Sequence, residues 1–168
     1  MSLAKNYFEL FGLPVGFTVD SAELARKFRE LQRQFHPDRY AAAPDLEKRL
    51  ALQYATYINE ANDCLKSPLS RAQYLMELAG FPRQESTMQN DTVFLLQQME
   101  WREALDEAQT PAQRESLLQS TRLAADEYWR EFEVAYQQGR YPQAQQYLNK
   151  MHFVTRFEKE LLSPGFLQ

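Results

Sequence analysis

The sequence has few of the residues from which disulfides and metal sites are built. It contains one cysteine, Cys64, and two histidines, His36 and His152. One cysteine cannot form an internal disulfide, and these three side chains are too few for the four ligands of a structural zinc site. We therefore expect no disulfide framework, no bound metal and no cofactor in this chain.

An excess of positive charge and long hydrophobic runs are also missing. The chain has 19 basic and 23 acidic residues, for a net charge of −4. This balance argues against nucleic acid as the main partner, because binding phosphates requires a broad excess of Lys and Arg. No stretch approaches the roughly 20 apolar residues that span a membrane, and the first residues lack the pattern of a signal peptide. We expect a cytoplasmic protein that binds no membrane.

The first half of the chain predicts a helical hairpin preceded by a short helix. A basic helix with an N-cap at Asp20 is predicted to end at Pro37, because proline disrupts a helix interior. Its apolar stripe is Leu24, Phe28, Leu31 and Phe35. The next helix repeats apolar residues at helical spacing, so the two stripes should pack antiparallel. This second stripe is Leu46, Leu50, Tyr54, Tyr57, Ala61 and Leu65.

The second half predicts three long helices, over about 91–108, 110–138 and 142–162, with start signals at Asp91, Thr110 and Pro142 and a stop at Gly139. Tight turns between such helices indicate an antiparallel three-helix bundle. The polar stretch FPRQESTMQN, residues 81–90, precedes them. We therefore predict an all-α protein with a first domain at 1–79, a linker at 80–90 and a bundle at 91–168.

The triplet His36-Pro37-Asp38 follows the basic helix directly. Arg26, Arg29 and Arg33 fall on the side of that helix opposite the apolar stripe, with Lys27 on the flank. Such a line of charge is either a solvated face or a docking strip for an acidic partner. His36 and Asp38 could instead act on a bound water in a small hydrolase, although no nucleophile motif stands beside them.

The first helix of the bundle has apolar residues on the side away from its core face. Phe94, Trp101, Ala104, Leu105 and Ala108 form the predicted core face. The outward residues are Leu95, Leu96 and Met99, surrounded by Glu100, Glu103, Asp106 and Glu107. An apolar patch bordered by carboxylates is typical of a protein interface, and Phe153 of the last helix could join it. Alternatively, these side chains pack against the first domain or the linker.

Three segments of the first domain together resemble a J-domain, the module by which co-chaperones engage DnaK-class chaperones. They are NYFELFGLP, the HPD triplet after the basic helix, and INEANDCLKSPLSRAQYLMELAGF. The resemblance implies that His36, Pro37 and Asp38 stimulate ATP hydrolysis by the chaperone. It also implies that Arg26, Lys27, Arg29 and Arg33 help to bind the chaperone, whose own active site carries out the hydrolysis.

The whole chain resembles the HscB family of co-chaperones in iron-sulfur cluster assembly. It lacks the Gly/Phe-rich linker and zinc region of general-purpose J-proteins, and it lacks the cysteine-rich segment of eukaryotic relatives, which favours the bacterial form. The resemblance implies an L-shaped, two-domain co-chaperone without catalytic activity of its own. Its bundle would bring the scaffold protein IscU to the chaperone HscA. The implied scaffold-binding residues are Leu95, Leu96, Met99, Glu100, Glu103, Glu107 and Phe153. A J-protein with a different client remains the alternative.

Overall fold

The computed structural model describes residues 5–82 and 91–163. Every regular element in these two ranges is helical, so the all-α prediction is confirmed. The chain divides into two compact units, Met1–Leu75 and Met76–Gln168. Neither described range contains a helix long and apolar enough to cross a membrane.

The first unit is built around a helical hairpin. Its elements are α1 (Tyr7–Leu10), α2 (Ser21–Gln34), a 3₁₀ helix (Pro37–Tyr40), α3 (Asp45–Lys66) and the start of α4 (Pro68–Leu78). Asp20 caps α2, because its carboxylate accepts hydrogen bonds from the backbone N–H groups of Ala22 and Glu23 at 2.9 and 3.1 Å. The rings of Phe35 and Tyr54 stack with centroids 4.9 Å apart. Contacts of this kind join α2 to α3.

The prediction that α2 ends close to Pro37 is confirmed, and Pro37 itself begins a new element. The helix ends at Gln34 with Phe35 as its C-cap, and Pro37 begins the 3₁₀ helix. His36 is extended, at φ −61° and ψ 130°, which is the conformation that a following proline favours. Proline is well suited to the first turn of a helix, where its missing N–H is not needed. Pro37 and Asp38 therefore lie in a short helical turn, and the extended His36 is its N-cap.

The predicted apolar stripe of α3 is wrong in its first two turns. Leu46 and Leu50 are 64% and 40% exposed. The hairpin is antiparallel, since Gln32 bonds to Asn59 at 3.3 Å while Phe35 meets Tyr54. The earlier turns of α3 therefore extend beyond the end of α2, and α2 has no side chains there to cover the two leucines. The buried stripe is Ala51, Tyr54, Ile58, Ala61 and Leu65.

The second unit contains the bundle helices α5 (Thr92–Glu107), α6 (Pro111–Gln137) and α7 (Tyr141–Leu161). Their start and stop signals work as predicted. The Asp91 side chain accepts from the Phe94 N–H at 2.9 Å, and Thr110 forms a capping box with Gln113. Gly139, at φ +69°, makes the turn between α6 and α7 in a conformation that suits glycine.

The core of this unit is rich in aromatic side chains. Phe132, Phe157, Leu148 and Val154 are fully buried, and Trp101 is 4% exposed. Ala104 was predicted to lie on the core face of α5, but it is exposed. It lines an open hollow between α5 and α6 together with Gln113 and Ser116, so its short side chain stays accessible to solvent. Trp101 and Leu105 instead supply the buried surface of this part of α5.

Candidate functional site

The HPD triplet forms a compact polar turn. His36 Nδ1 accepts a hydrogen bond from the backbone N–H of Asp38 at 3.3 Å and lies 3.5 Å from its carboxylate oxygen Oδ2. The side chains of His36 and Asp38 are 57% and 91% exposed. The turn thus holds the histidine in one orientation while leaving both side chains open to another molecule.

His36 and Pro37 of the triplet line a surface groove of about 670 Å³, which we call the HPD groove, whereas Asp38 is not among its lining residues. Its walls come from the end of α2, the 3₁₀ helix and the middle of α3, and they include three arginines. The lining residues are Arg29, Gln32, Arg33, His36, Pro37, Arg39, Ala55 and Asn59. Three guanidinium groups make this groove electropositive, which suits an acidic partner surface.

Arg39 is a groove residue that sequence reasoning missed. Its Nη1 atom donates to the Arg33 carbonyl oxygen at 3.1 Å, which ties the 3₁₀ helix back to the last turn of α2. The available signal was its position directly after the triplet. A charged residue there could have been assigned to the same surface as Arg33.

The structure brings together only some of the predicted basic residues. Arg26 pairs with Glu23 and Glu30, at 3.2 and 2.7 Å. Lys27 donates to the Gly12 carbonyl oxygen at 2.9 Å. Neither side chain lines the HPD groove, whereas Arg29 and Arg33 do. Arg26 and Lys27 therefore belong to the flank of the basic surface.

The residues that line the HPD groove in the described part of the chain offer no hydroxyl or thiol nucleophile, because no Ser, Thr or Cys is among them. Residues 5–82 and 91–163 also contain no group of three His, Cys, Asp or Glu side chains that could hold a metal ion.

The bundle has a second surface groove, of about 530 Å³, between α5 and α7. We call it the patch groove. It combines apolar, acidic and basic side chains, and its lining residues are Leu95, Gln98, Met99, Arg102, Glu103, Asp106 and Phe153. Leu95 and Met99 are 42% and 66% exposed, although both are large apolar residues. Phe153 of α7 thus lies beside Leu95 and Met99, as it would in the predicted patch.

Three of the predicted patch residues lie outside this groove. Leu96 is 56% exposed on the outer side of α5. Glu100 accepts a hydrogen bond from Gln97 at 3.1 Å. Glu107 instead borders a hollow of about 360 Å³ together with Ala108 and Ser116. The seven predicted scaffold-binding residues therefore extend beyond the patch groove. A partner that contacts all seven would have to cover the groove and the adjoining outer side of α5.

Phe153 is part of an aromatic cluster as well as of the groove. Its ring stacks on Trp101 and Phe157, with centroids 6.2 and 5.8 Å apart, and meets Phe94 edge-on at 5.7 Å. Packing on three sides fixes the ring, while one edge remains at the surface. A fixed aromatic side chain beside adaptable methionine and leucine is a common feature of protein interfaces.

Sequence comparison shows the family. The chain is 42% identical over 164 residues to "Co-chaperone protein HscB homolog" of Aeromonas hydrophila, and the match covers 93% of this chain and 94% of that protein. This chain belongs to the HscB family of co-chaperones. A family model described as "HSCB C-terminal oligomerisation domain" matches residues 90–162.

Solved structures of HscB proteins share the fold. "Chaperone HscB from Vibrio cholerae" has a TM-score of 0.84 at 34% identity, and the match covers 93% of this chain and 94% of that one. The human co-chaperone HscB has a TM-score of 0.90 at 29% identity, covering 96% of this chain and 82% of that one. The match spans both compact units. It therefore confirms the sequence prediction of a J-domain co-chaperone of the HscB family.

Proposed function

We propose that this chain is an adaptor between a DnaK-class chaperone and an iron-sulfur scaffold protein. The bundle, residues 91–168, binds an IscU-type scaffold through Leu95, Leu96, Met99, Phe153 and the carboxylates of Glu100, Glu103 and Glu107. The J-domain, residues 1–79, presents His36, Pro37 and Asp38 to an HscA-type chaperone and stimulates its ATPase. Residues 80–90 link the two domains.

The observation that carries this proposal is the patch groove. Leu95 and Met99 are exposed, and Phe153 lies beside them in the same groove, although the bundle buries an apolar core of its own. Apolar side chains bordered by carboxylates favour a protein partner that buries them. The HPD groove supports the second half of the proposal, because its arginines and exposed triplet suit an acidic chaperone surface.

Adaptor function requires only that one chain holds both partners. Binding the scaffold on the bundle raises its local concentration near a chaperone that is bound at the J-domain, so delivery needs no chemical step by this chain. We therefore propose that it is a stimulator of hydrolysis in the partner and has no catalytic activity of its own. We also propose that it acts in the bacterial cytoplasm.

The test is the steady-state ATPase rate of an HscA-type chaperone. We expect this chain to raise the rate, and to raise it further when an IscU-type scaffold is added. Scaffold binding by the bundle is measured separately, by calorimetric titration of the scaffold into this chain without chaperone. A rate that does not respond to the chain would contradict the J-domain role, and absence of scaffold binding would contradict the client role.

A further inference from the structure

Arg102 stands in the wall of the patch groove between its apolar and its acidic side chains. The groove places it with Leu95, Met99 and Phe153, and also with Glu103 and Asp106. Its own side chain is 48% exposed. A partner that covers the apolar residues therefore also removes water from this guanidinium group.

The structure holds the Arg102 side chain in one orientation. Its Nη1 atom donates to both carboxylate oxygens of Glu160, at 2.7 and 2.6 Å. Its guanidinium carbon also lies 5.4 Å from the centroid of the Phe157 ring, which is a cation–π distance. Glu160 and Phe157 both belong to α7, so α7 positions a side chain that α5 supplies.

The ion pair with Glu160 uses only part of the hydrogen-bonding capacity of Arg102. A guanidinium group has five N–H donors in a planar fork, which matches the two oxygens of a carboxylate. Both bonds to Glu160 come from Nη1. Within residues 5–82 and 91–163, Nε and Nη2 donate to no protein acceptor. This side of the fork is available to an external group.

From these contacts we infer that Arg102 selects the client by receiving one of its carboxylates at the edge of the apolar contact. The inference rests on the proposed function, because the client is the scaffold that the patch groove binds. Covering Arg102 without supplying an acceptor would leave charged donors buried and unpaired, which is strongly unfavourable. A carboxylate on Nε and Nη2 satisfies these donors with charge-assisted bonds in fixed geometry.

Two carboxylates on α5, the same helix that carries Arg102, set the other half of the client's chemistry. Glu103 and Asp106 are exposed carboxylates that no basic side chain of the described residues contacts within 4.0 Å. They favour a Lys or Arg of the client by the same charge argument. The client segment therefore carries an apolar side chain for Leu95, Met99 and Phe153, an acidic residue toward Arg102 and a basic residue toward Glu103.

The experiment measures scaffold affinity by calorimetric titration with the full chain. Arg102→Gln should weaken binding at least about tenfold, since it removes one member of a desolvated charge pair. Arg102→Lys keeps a charge for Glu160 but loses the fork, so its loss should be smaller. Glu160→Gln is the matched control on the other side of the ion pair, and it should cost less than Arg102→Gln because the guanidinium remains.

A double-mutant cycle identifies the client carboxylate. Each acidic residue of the scaffold is replaced by its amide and titrated against the wild-type chain and against Arg102→Gln. One replacement should weaken binding to the wild type about tenfold and have little effect on the Arg102 variant. Additive effects at every scaffold carboxylate would overturn the inference, as would unchanged affinity of Arg102→Gln.

Two further outcomes separate this inference from the proposed function. If Leu95→Ala with Met99→Ala abolishes scaffold binding while Arg102→Gln does not weaken it, the client site stands and the role of Arg102 is wrong. If the wild-type chain does not bind the scaffold at all, the proposed function fails and the inference fails with it. A change in self-association on Arg102→Gln, with scaffold affinity unchanged, would assign Arg102 to a contact with a second copy and also overturn the inference.

Discussion

The Nζ atom of Lys150 lies 2.8 Å from a carboxylate oxygen of Asp91. Asp91 is also the N-cap of α5, where it accepts from the Phe94 N–H. The same ammonium group lies 5.2 to 5.5 Å from the ring centroids of Phe94, Tyr128 and Tyr147. One half-buried cation thus connects the start of α5, which carries the patch residues, to α6 and α7.

We expect the Asp91 carboxylate to be more important for bundle stability than an ordinary surface acid. Asp91→Ala removes the N-cap and the partner of Lys150 together, and should lower the free energy of unfolding by about 1–3 kcal/mol. Lys150→Met keeps an apolar stem among the aromatic rings and leaves the cap, so it should cost less. Urea unfolding followed by the fluorescence of Trp101 and Trp129 measures both changes. Equal stability of Asp91→Ala and the wild type would contradict this assignment.

The pair of Asp91 and Lys150 should make the free energy of unfolding depend on pH in the acid range. The hydrogen bond from Lys150, followed by that from the Phe94 N–H, lowers the pKa of Asp91 below its ordinary value. A carboxyl whose folded-state pKa lies below its unfolded-state pKa stabilises the fold above the unfolded-state pKa. This contribution is lost as the pH falls through the folded-state pKa. The stability difference between the wild type and Asp91→Asn should therefore be full at neutral pH and shrink below about pH 4.

Glu158 provides a control, because its carboxyl should change stability with pH in the opposite direction to that of Asp91. Burial raises the pKa of its carboxyl, with Arg122 acting in the other direction and Asp126 adding to the rise. A raised carboxyl pKa means that ionisation opposes folding as the pH increases. Glu158→Gln should therefore increase the free energy of unfolding at neutral pH relative to its effect in acid, measured in the same unfolding series. If Asp91→Asn and Glu158→Gln changed stability with the same pH trend, the assigned causes would be wrong.

The sequence predicted those parts of the molecule that depend on local signals. Caps at Asp20, Asp91 and Thr110 act through residues two or three positions away, so helix starts were predicted to within about two residues. The exposure of Leu46 depends on where α2 ends in space, which no residue near Leu46 encodes. Likewise, the partners of Arg102 and Lys150 are 58 and 59 residues away along the chain, and helical periodicity carries no information on such pairs.

The role assigned to the HPD triplet predicts a separation of two activities. His36→Gln should abolish stimulation of the chaperone ATPase, because glutamine lacks the imidazole that the turn holds through the Asp38 N–H. Scaffold binding should stay unchanged, since the bundle forms a separate compact unit. Stability should also change by less than about 0.5 kcal/mol, because the side chain is exposed. Normal stimulation by His36→Gln would contradict the role of the triplet.

Arg29 and Arg33 should matter more to the chaperone contact than Arg26. The first two line the HPD groove, whereas Arg26 is engaged by Glu23 and Glu30. Arg33→Ala should raise the concentration of this chain needed for half-maximal ATPase stimulation, and the effect should weaken at high salt as charge is screened. Arg26→Ala is the matched control on the same helix. An equal or larger effect of Arg26→Ala would place the chaperone contact on the flank instead.

Substitutions of the patch residues differ in whether they change scaffold binding alone or also lower the stability of the bundle. Leu95→Ala and Met99→Ala should weaken scaffold binding with little loss of stability, because both side chains are exposed. Phe153→Ala is expected to lower both, since its ring packs on Trp101, Phe94 and Phe157. Removing such a ring costs on the order of 2 kcal/mol or more. Phe153→Leu retains more of the packing and is therefore the better variant for calorimetric titration.

Arg71 is predicted to stabilise the first unit from within. Its side chain is buried, its Nη1 atom donates to the Leu65 carbonyl oxygen at 2.6 Å, and its guanidinium lies 5.3 Å from the Phe17 ring centroid. Burial lowers the pKa of this group, although nearby Cys64 acts in the opposite direction. Two interactions offset the cost of burying the charge. One is the cation–π contact, and the other is the hydrogen bond at the C-terminal end of α3, where the helix dipole favours a cation.

Arg71→Ala leaves the Leu65 carbonyl without this donor and also creates a cavity, so it should cost about 2–4 kcal/mol. Arg71→Met fills most of the space and should cost less, because it removes the buried charge together with its bond. Amide hydrogen exchange on the full chain locates the loss: protection should fall in α3 and α4 and stay unchanged in α6 and α7. Uniform loss of protection across both units would contradict this stabilising role of Arg71. A greater loss of stability with Arg71→Met than with Arg71→Ala would contradict it as well.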